Sequence, residues 1–152
     1  MKEKILVLRT AKMQVVDLLM KEINKDSEIT FLVQSNIVDE IKDKYPFVEV
    51  ISIKETYFNY ELFCKNVNLK KKFDVIYVLA SGMTFGGYEE VFQIVEDIKH
   101  DQLVLFNGKG EKSIERNTYY RKLKDAVFSA FAQVYMKWIA IWYKYRGKNI
   151  KF

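Results

Sequence analysis

Two segments of the chain carry residue types that could bind a phosphate or a sugar. Residues 9–12 read Arg-Thr-Ala-Lys, and residues 81–87 read Ser-Gly-Met-Thr-Phe-Gly-Gly, which holds three of the six glycines. Glycine lets a backbone approach a ligand closely, while hydroxyl and cationic side chains bind ligand oxygens. The segments therefore predict recognition of an anionic or hydroxylated ligand by Arg9, Thr10, Lys12, Ser81, Gly82, Thr84, Gly86 and Gly87.

Both segments also have a purely structural interpretation. The two cations could be ordinary solvated side chains, and the glycines could serve only a tight strand-to-helix turn. Neither a Gly-x-Gly-x-x-Gly sequence nor a Walker lysine motif is present. A third segment, residues 107–111, could add Asn107 and Lys109 to the same site, or could be a flexible turn before a final helix.

Metal and disulfide chemistry are not predicted. The chain has one Cys and one His, whereas a disulfide framework or a Cys/His zinc site needs several such residues. Cys64 lies at an apolar position of a predicted helix, which favours a buried structural thiol. His100 is interpreted as the end of a helix, where it would complement the helix dipole.

The elements that would position these loops are strands alternating with helices. Apolar runs typical of buried strands alternate with stretches of helical spacing, which predicts a single Rossmann-like α/β domain with helices on both faces of a parallel sheet. The third run interleaves polar residues, as an edge strand does, so the predicted order is 3-2-1-4-5. Ligands bind such sheets between strands 1 and 4. The five runs are residues 4–9, 28–34, 47–53, 73–79 and 102–106.

The C-terminal region, residues 112–152, differs from the preceding domain, residues 1–111. It holds ten Lys/Arg and two acidic residues, a balance of +8, which leaves −3 for the domain. No Gly or Pro lies between Ser113, a plausible N-cap, and Tyr145, so one long amphipathic helix is predicted.

Interleaved aromatic and basic residues in this helix suit a membrane interface or a partner protein. The alternatives are packing on the domain and a homodimer seam. Nucleic acid is not predicted, because no recognised motif is present and the domain is acidic. The predicted contact residues are Phe131, Tyr135, Lys137, Trp138, Trp142, Lys144, Tyr145, Arg146 and Lys148.

The first two-thirds of the chain resembles a known enzyme family. Four segments carry the resemblance: a strand ending in Arg (residues 4–9), a second strand (29–33), a turn with Pro46 before a Val/Ile-rich strand (45–51), and a Phe-Asp-hydrophobic strand (73–78). Together they resemble the N-terminal half of GT-B-fold glycosyltransferases, in particular the lipopolysaccharide heptosyltransferase family. The resemblance covers roughly residues 4–110. It implies a glycosyltransferase-like domain in cell-surface polysaccharide or glycolipid synthesis, with a nucleotide sugar or sugar phosphate as ligand and no cofactor.

Two departures from the family shape this expectation. Family members follow the strand 1 Arg with a Gly-Asp pair whose Asp is the presumed base, and Gln14 and Val15 stand there in this chain, with Asp17 nearby but off register. The 152 residues also match only the family's N-terminal half in length, so we expect no donor-binding half within them. The resemblance thus implies an acceptor-side half-domain that needs a donor-half glycosyltransferase as partner.

We expect this half-domain to be cytoplasmic and peripheral on the inner face of the cell membrane, held by anionic lipid or polyprenyl phosphate. The alternative is a soluble Rossmann-like ligand-binding or regulatory module that homodimerises through its C-terminal helix.

Overall fold

A computed structural model describes residues 2–115, 130–139 and 142. The chain divides into two compact units, Met1–Arg116 and Asn117–Phe152. Strands and helices alternate through most of the first unit, which ends with two consecutive strands. In chain order they are β1 (Lys4–Leu8), α1 (Met13–Glu22), β2 (Glu28–Val33), α2 (Val38–Lys44), β3 (Glu49–Ser52), α3 (Tyr60–Asn66), β4 (Phe73–Leu79), α4 (Glu89–Asp97), β5 (His100–Phe106) and β6 (Lys112–Glu115).

The strands form one sheet in the order β3-β2-β1-β4-β5-β6. The first five are parallel and β6 is antiparallel to β5. Leu8, the last residue of β1, pairs with both Leu32 and Val78, so the central strands finish at one level. The predicted Rossmann-like fold with strand order 3-2-1-4-5 is confirmed, with a sixth strand added.

Helices cover both faces of the sheet, as predicted. Leu6 and Leu8 of β1 belong to one apolar layer, which also contains buried residues of α3 and α4. Ile5 and Val7 belong to the opposite layer, which contains buried residues of α1 and α2. Because successive side chains of a strand point to opposite faces, a strand covered on both sides must be apolar at every position. This explains the uninterrupted apolar run of β1.

Several local predictions were wrong. The edge strand β3 begins at Glu49, not at residue 47, and Phe47 is 62% exposed. Cys64 is exposed, because α3 begins at Tyr60 and turns Phe63 towards the core. His100 begins β5 instead of ending a helix, and its Nδ1 lies 2.7 Å from the Ile98 carbonyl oxygen.

The predicted helix start at Ser113 is also wrong, because this residue lies in β6. Residues 107–111 form a tight hairpin turn in which the Asn107 Oδ1 accepts bonds of 3.0 Å from the backbone N–H groups of Lys109 and Glu111. Gly110 adopts φ +80, a conformation that favours glycine. The turn folds the chain back along β5, which would otherwise be an open edge. These residues are therefore a hairpin turn and not a flexible connection to a helix.

The second unit is described only in part. Residues 130–139 and 142 are helical, in agreement with part of the predicted C-terminal helix. Among the residues that the structure describes, no helix is long and apolar enough to cross a membrane. Four of the predicted contact residues fall outside those ranges, namely Lys144, Tyr145, Arg146 and Lys148.

Asp17 has a structural role between α1 and α2. Its carboxylate accepts hydrogen bonds from Lys44 Nζ at 2.7 Å and from the Tyr45 hydroxyl at 2.5 Å. These two bonds hold the pKa of Asp17 below its usual 3.8, and the bond from Lys44 has the larger effect. Asp17 is thus engaged in joining two helices, which argues against it as a replacement catalytic base.

The Asp17 contacts predict a pH-dependent contribution to stability. A carboxyl whose pKa is lower in the folded state stabilises the fold above its unfolded pKa, and this stabilisation is lost as the pH falls through the folded value. Because the pair is partly exposed, we expect Asp17→Asn to lower the free energy of unfolding by at most about 1 kcal/mol at pH 7. Urea unfolding of both proteins should show this difference shrinking below pH 3.8. An equal difference at pH 7 and pH 3 would contradict the assignment.

Candidate functional site

The loops that follow β1 and β4 meet at the carboxyl edge of the sheet. The chain leaves β1 towards α1 on one face and leaves β4 towards α4 on the other, so the two loops diverge from neighbouring strands. This divergence makes the switch point at which open α/β sheets bind ligands. We call the two loops, residues 9–12 and 80–88, the β1–β4 crevice.

Three hydrogen bonds hold the first loop of the crevice against the end of β4 and the loop that follows it. The Thr10 hydroxyl donates to the Leu79 carbonyl oxygen, and the Lys12 backbone N–H donates to Ser81 Oγ at 3.0 Å. The Tyr88 hydroxyl donates to the Thr10 carbonyl oxygen at 3.4 Å. Burial raises the pKa of the Tyr88 hydroxyl, which keeps it protonated as a donor. The structure therefore brings Thr10, Lys12 and Ser81 together and adds Tyr88, which sequence reasoning missed.

The hairpin turn after β5 borders the crevice. The Gly108 N–H donates to the Gly82 carbonyl oxygen at 3.4 Å, so the turn lies against the glycine-rich loop. Asn107 is buried, and its side chain is engaged within the turn: Oδ1 accepts two backbone bonds, and Nδ2 donates to Glu111 Oε2 at 2.8 Å. Lys109 is exposed. Of these two predicted binders, only Lys109 has a side chain exposed at this edge.

The glycine-rich loop is open to solvent. Gly87 adopts φ +79, which explains its identity by conformation alone. Gly82 and Gly86 show no positive φ, and a Cβ added at either would meet no atom within 4 Å. Thr84, between them, is exposed. The backbone conformation of the turn therefore explains Gly87, whereas Gly82 and Gly86 leave open space beside the backbone.

The N-terminus of α1 keeps its partial positive charge. Its first turn contains no acidic residue, whereas acidic residues in the first turns of α2, α3 and α4 offset the dipoles of those helices. Lys12, at the N-cap position, is exposed and adds a full positive charge. A helix start of this kind attracts anions through its backbone N–H groups. The acidic residues of the other three helices are Asp39, Glu40, Glu61, Glu89 and Glu90.

Two buried polar atoms lie just beyond the neighbouring strands β1 and β2. Within the part of the chain that the structure describes, Arg9 Nε and Gln34 Oε1 are buried without a hydrogen-bond partner. The Arg9 backbone N–H donates to the Leu32 carbonyl oxygen at 3.1 Å, which fixes the start of the loop against β2. A buried donor or acceptor left unpaired costs about 1–3 kcal/mol, so each calls for a partner.

Gln34 was missed by sequence reasoning. A polar residue directly after a buried strand, at the edge where the candidate loops gather, was the available signal. The loops of the crevice itself contain no Asp, Glu, His or Cys. The arrangement can thus bind an anion and offer an acceptor to a ligand hydroxyl, while the two loops themselves carry no carboxylate or imidazole for proton transfer.

Comparison with known proteins gives no family assignment. No protein-family model, no curated protein and no solved structure matches the chain. The Rossmann-like α/β fold therefore rests on the strand order and on the placement of the helices.

Proposed function

We propose that the chain is a glycosyltransferase-like half-domain that binds a phosphate-bearing sugar, a nucleotide sugar or a sugar phosphate, in the β1–β4 crevice. The process it serves in this proposal is the synthesis of a cell-surface polysaccharide or glycolipid. The observation that carries the proposal is the buried, unpartnered Nε of Arg9 at the edge where α1 starts without an acidic residue.

Groups of the crevice and of the neighbouring end of β2 match the two ends of such a ligand. Phosphate oxygens accept hydrogen bonds, and they suit the Arg9 guanidinium, the Lys12 ammonium and the first N–H groups of α1. Sugar hydroxyls donate hydrogen bonds, and they suit the buried acceptor oxygen of Gln34. The Ser81 Oγ already accepts the Lys12 N–H, so its own hydroxyl hydrogen can donate to the ligand.

A second subunit is part of the proposal because the two loops of the crevice carry no base. Glycosyl transfer requires a base to take the proton of the acceptor hydroxyl, and carboxylates and histidines are the usual bases. Neither loop of the crevice contains one, and the nearby Asp17 is engaged by Lys44 and Tyr45. In our proposal the donor-half glycosyltransferase subunit supplies the base that this chain lacks at the position used by the family, and so completes the active site.

Titration calorimetry of the full chain tests the ligand class. We expect uridine diphosphate glucose and glucose 1-phosphate to bind, with affinities that fall as salt is added, and unmodified glucose not to bind. Lys12→Ala should weaken binding of the charged probes by about 3- to 10-fold, since a cation near a bound anion contributes on the order of 1 kcal/mol. The matched control is Lys25→Ala, an exposed lysine between α1 and β2 at the opposite edge of the sheet.

Two results would contradict the proposal. Either no phosphate-bearing probe binds, or glucose binds as well as glucose 1-phosphate. Equal weakening by Lys12→Ala and Lys25→Ala would show that any binding reflects the overall charge of the chain and not this site.

A further inference from the structure

Large apolar side chains of the C-terminal helical residues 130–139 lie in solvent. Phe131 is 73% exposed, Tyr135 66% and Trp138 71%, and Val134 and Met136 are exposed as well. Single apolar residues are common on protein surfaces, but a contiguous group of this size marks an interaction site.

The aromatic side chains share one side of the helix. At about 100° per residue, Phe131, Tyr135, Trp138 and Trp142 fall within an arc of about 60°. We call these four residues the aromatic stripe. Gln133 and Lys137 project to the opposite side by the same spacing. The helix is therefore amphipathic, with the bulky rings on one side and Gln133 and Lys137 on the other, and the exposed Met136 lies outside the stripe on the polar side.

The charge of this region favours an anionic occupant. Residues 126–152 contain five Lys/Arg and no Asp or Glu, and residues 112–152 carry +8 in total. A second copy seated on the stripe would bring two basic helices together, which like charges disfavour. An anionic lipid surface supplies the opposite charge, and tryptophan and tyrosine rings settle at the level of its headgroups.

We propose that the aromatic stripe docks parallel to the surface of an anionic lipid bilayer, with the rings between the headgroups, and that the net positive charge of residues 112–152 attracts this region to the lipid phosphates. Lys137, in the middle of the helical segment, is costly within hydrocarbon, so the helix lies on the membrane and does not cross it. The docking holds the first unit peripherally at the membrane. It does not depend on a ligand in the β1–β4 crevice, so either proposal can fail alone.

Tryptophan fluorescence of the full chain reports on this surface directly. Trp138 and Trp142 are the only two tryptophans of the chain, and both belong to the stripe. We expect vesicles of phosphatidylcholine with phosphatidylglycerol to shift the emission to shorter wavelength at low salt. Vesicles of phosphatidylcholine alone should leave it unchanged, and high salt should reduce the shift.

A matched pair of variants tests whether binding to vesicles depends on the aromatic stripe or on any exposed apolar side chain. The double variant Phe131→Ser/Tyr135→Ser keeps both tryptophans. Its partition coefficient for anionic vesicles should fall by about 10-fold or more, because two large apolar contacts are lost. The control Phe47→Ser replaces a comparably exposed phenylalanine of the first unit and should partition like the native chain. Circular dichroism and thermal unfolding of all three proteins establish that the substitutions leave the fold intact.

Three outcomes would overturn the proposal. The emission could stay unchanged on anionic vesicles, or it could shift equally on neutral ones. Alternatively, sedimentation could show a dimer that Phe131→Ser/Tyr135→Ser converts to a monomer, in which case a second copy of the chain covers the stripe.

Discussion

Replacing Arg9 with Met should weaken the binding of uridine diphosphate glucose by about 10- to 100-fold while leaving the free energy of unfolding unchanged or slightly raised. Hydrogen bonds to charged groups contribute about 1.5–3 kcal/mol, which corresponds to this loss of affinity. In the folded chain the buried Arg9 Nε has no hydrogen-bond partner among the described residues, so its removal breaks no bond of that atom. The methionine chain keeps most of the apolar contact made by the arginine stem.

The measurement pairs calorimetry with urea unfolding for the native chain, Arg9→Met and the control Lys25→Met. If Arg9 has a structural role, its substitution lowers the free energy of unfolding of the protein. If it binds the ligand, its substitution lowers only the affinity for uridine diphosphate glucose. Loss of more than about 1 kcal/mol of stability with unchanged affinity would show that Arg9 supports the fold and not the ligand.

Gly108→Ala should lower the free energy of unfolding by about 1–3 kcal/mol, the usual cost of forcing extra atoms into a packed site. A Cβ at this position would lie 2.5 Å from the Ser81 carbonyl oxygen and 3.2 Å from its carbonyl carbon. Both are backbone atoms, so no side chain can rotate away. The hairpin turn and the glycine-rich loop would have to separate, which would break the Gly108 N–H bond to Gly82.

The same substitution should also weaken ligand binding, because Ser81 carries the hydroxyl that accepts the Lys12 N–H across the crevice. Gly82→Ala is the control, since an added Cβ there meets no atom within 4 Å and should change stability by less than about 0.5 kcal/mol. Urea unfolding of the native chain, Gly108→Ala and Gly82→Ala measures the two stability losses. Equal stability losses would contradict the close approach of the turn to Ser81.

The sheet could be predicted from the sequence because its strands carry strong local signals. Alternate residues of β1 face two different apolar layers, which requires an uninterrupted apolar run that is readable without the fold. The polar positions of β3 likewise identify an edge. Once the order was predicted, topology alone placed the loops after β1 and β4 beside each other.

The remaining errors arise where tertiary contacts override the local pattern. Residues 112–115 could begin a helix, but the open edge of β5 and the turn closed by Asn107 make them a strand. The burial of Phe63 in place of Cys64 depends on where Asn59 caps α3, a difference of one residue in helical phase. The unpartnered atoms of Arg9 and Gln34 are properties of the packed structure, which no sequence pattern shows.

Backbone amide NMR of the full chain, titrated with uridine diphosphate glucose, shows directly whether the β1–β4 crevice binds a phosphate-bearing sugar. We predict that the amide shifts change at residues 9–14 and 81–88, with a smaller effect at Gln34, and that Arg9→Met reduces these changes. Shift changes confined to the opposite end of the sheet, where Lys2, Glu3, Asn24, Asp26 and Ser27 line a cavity of about 510 Å³, would contradict the proposed site. The absence of any shift change across the titration with uridine diphosphate glucose would contradict the proposed site as well.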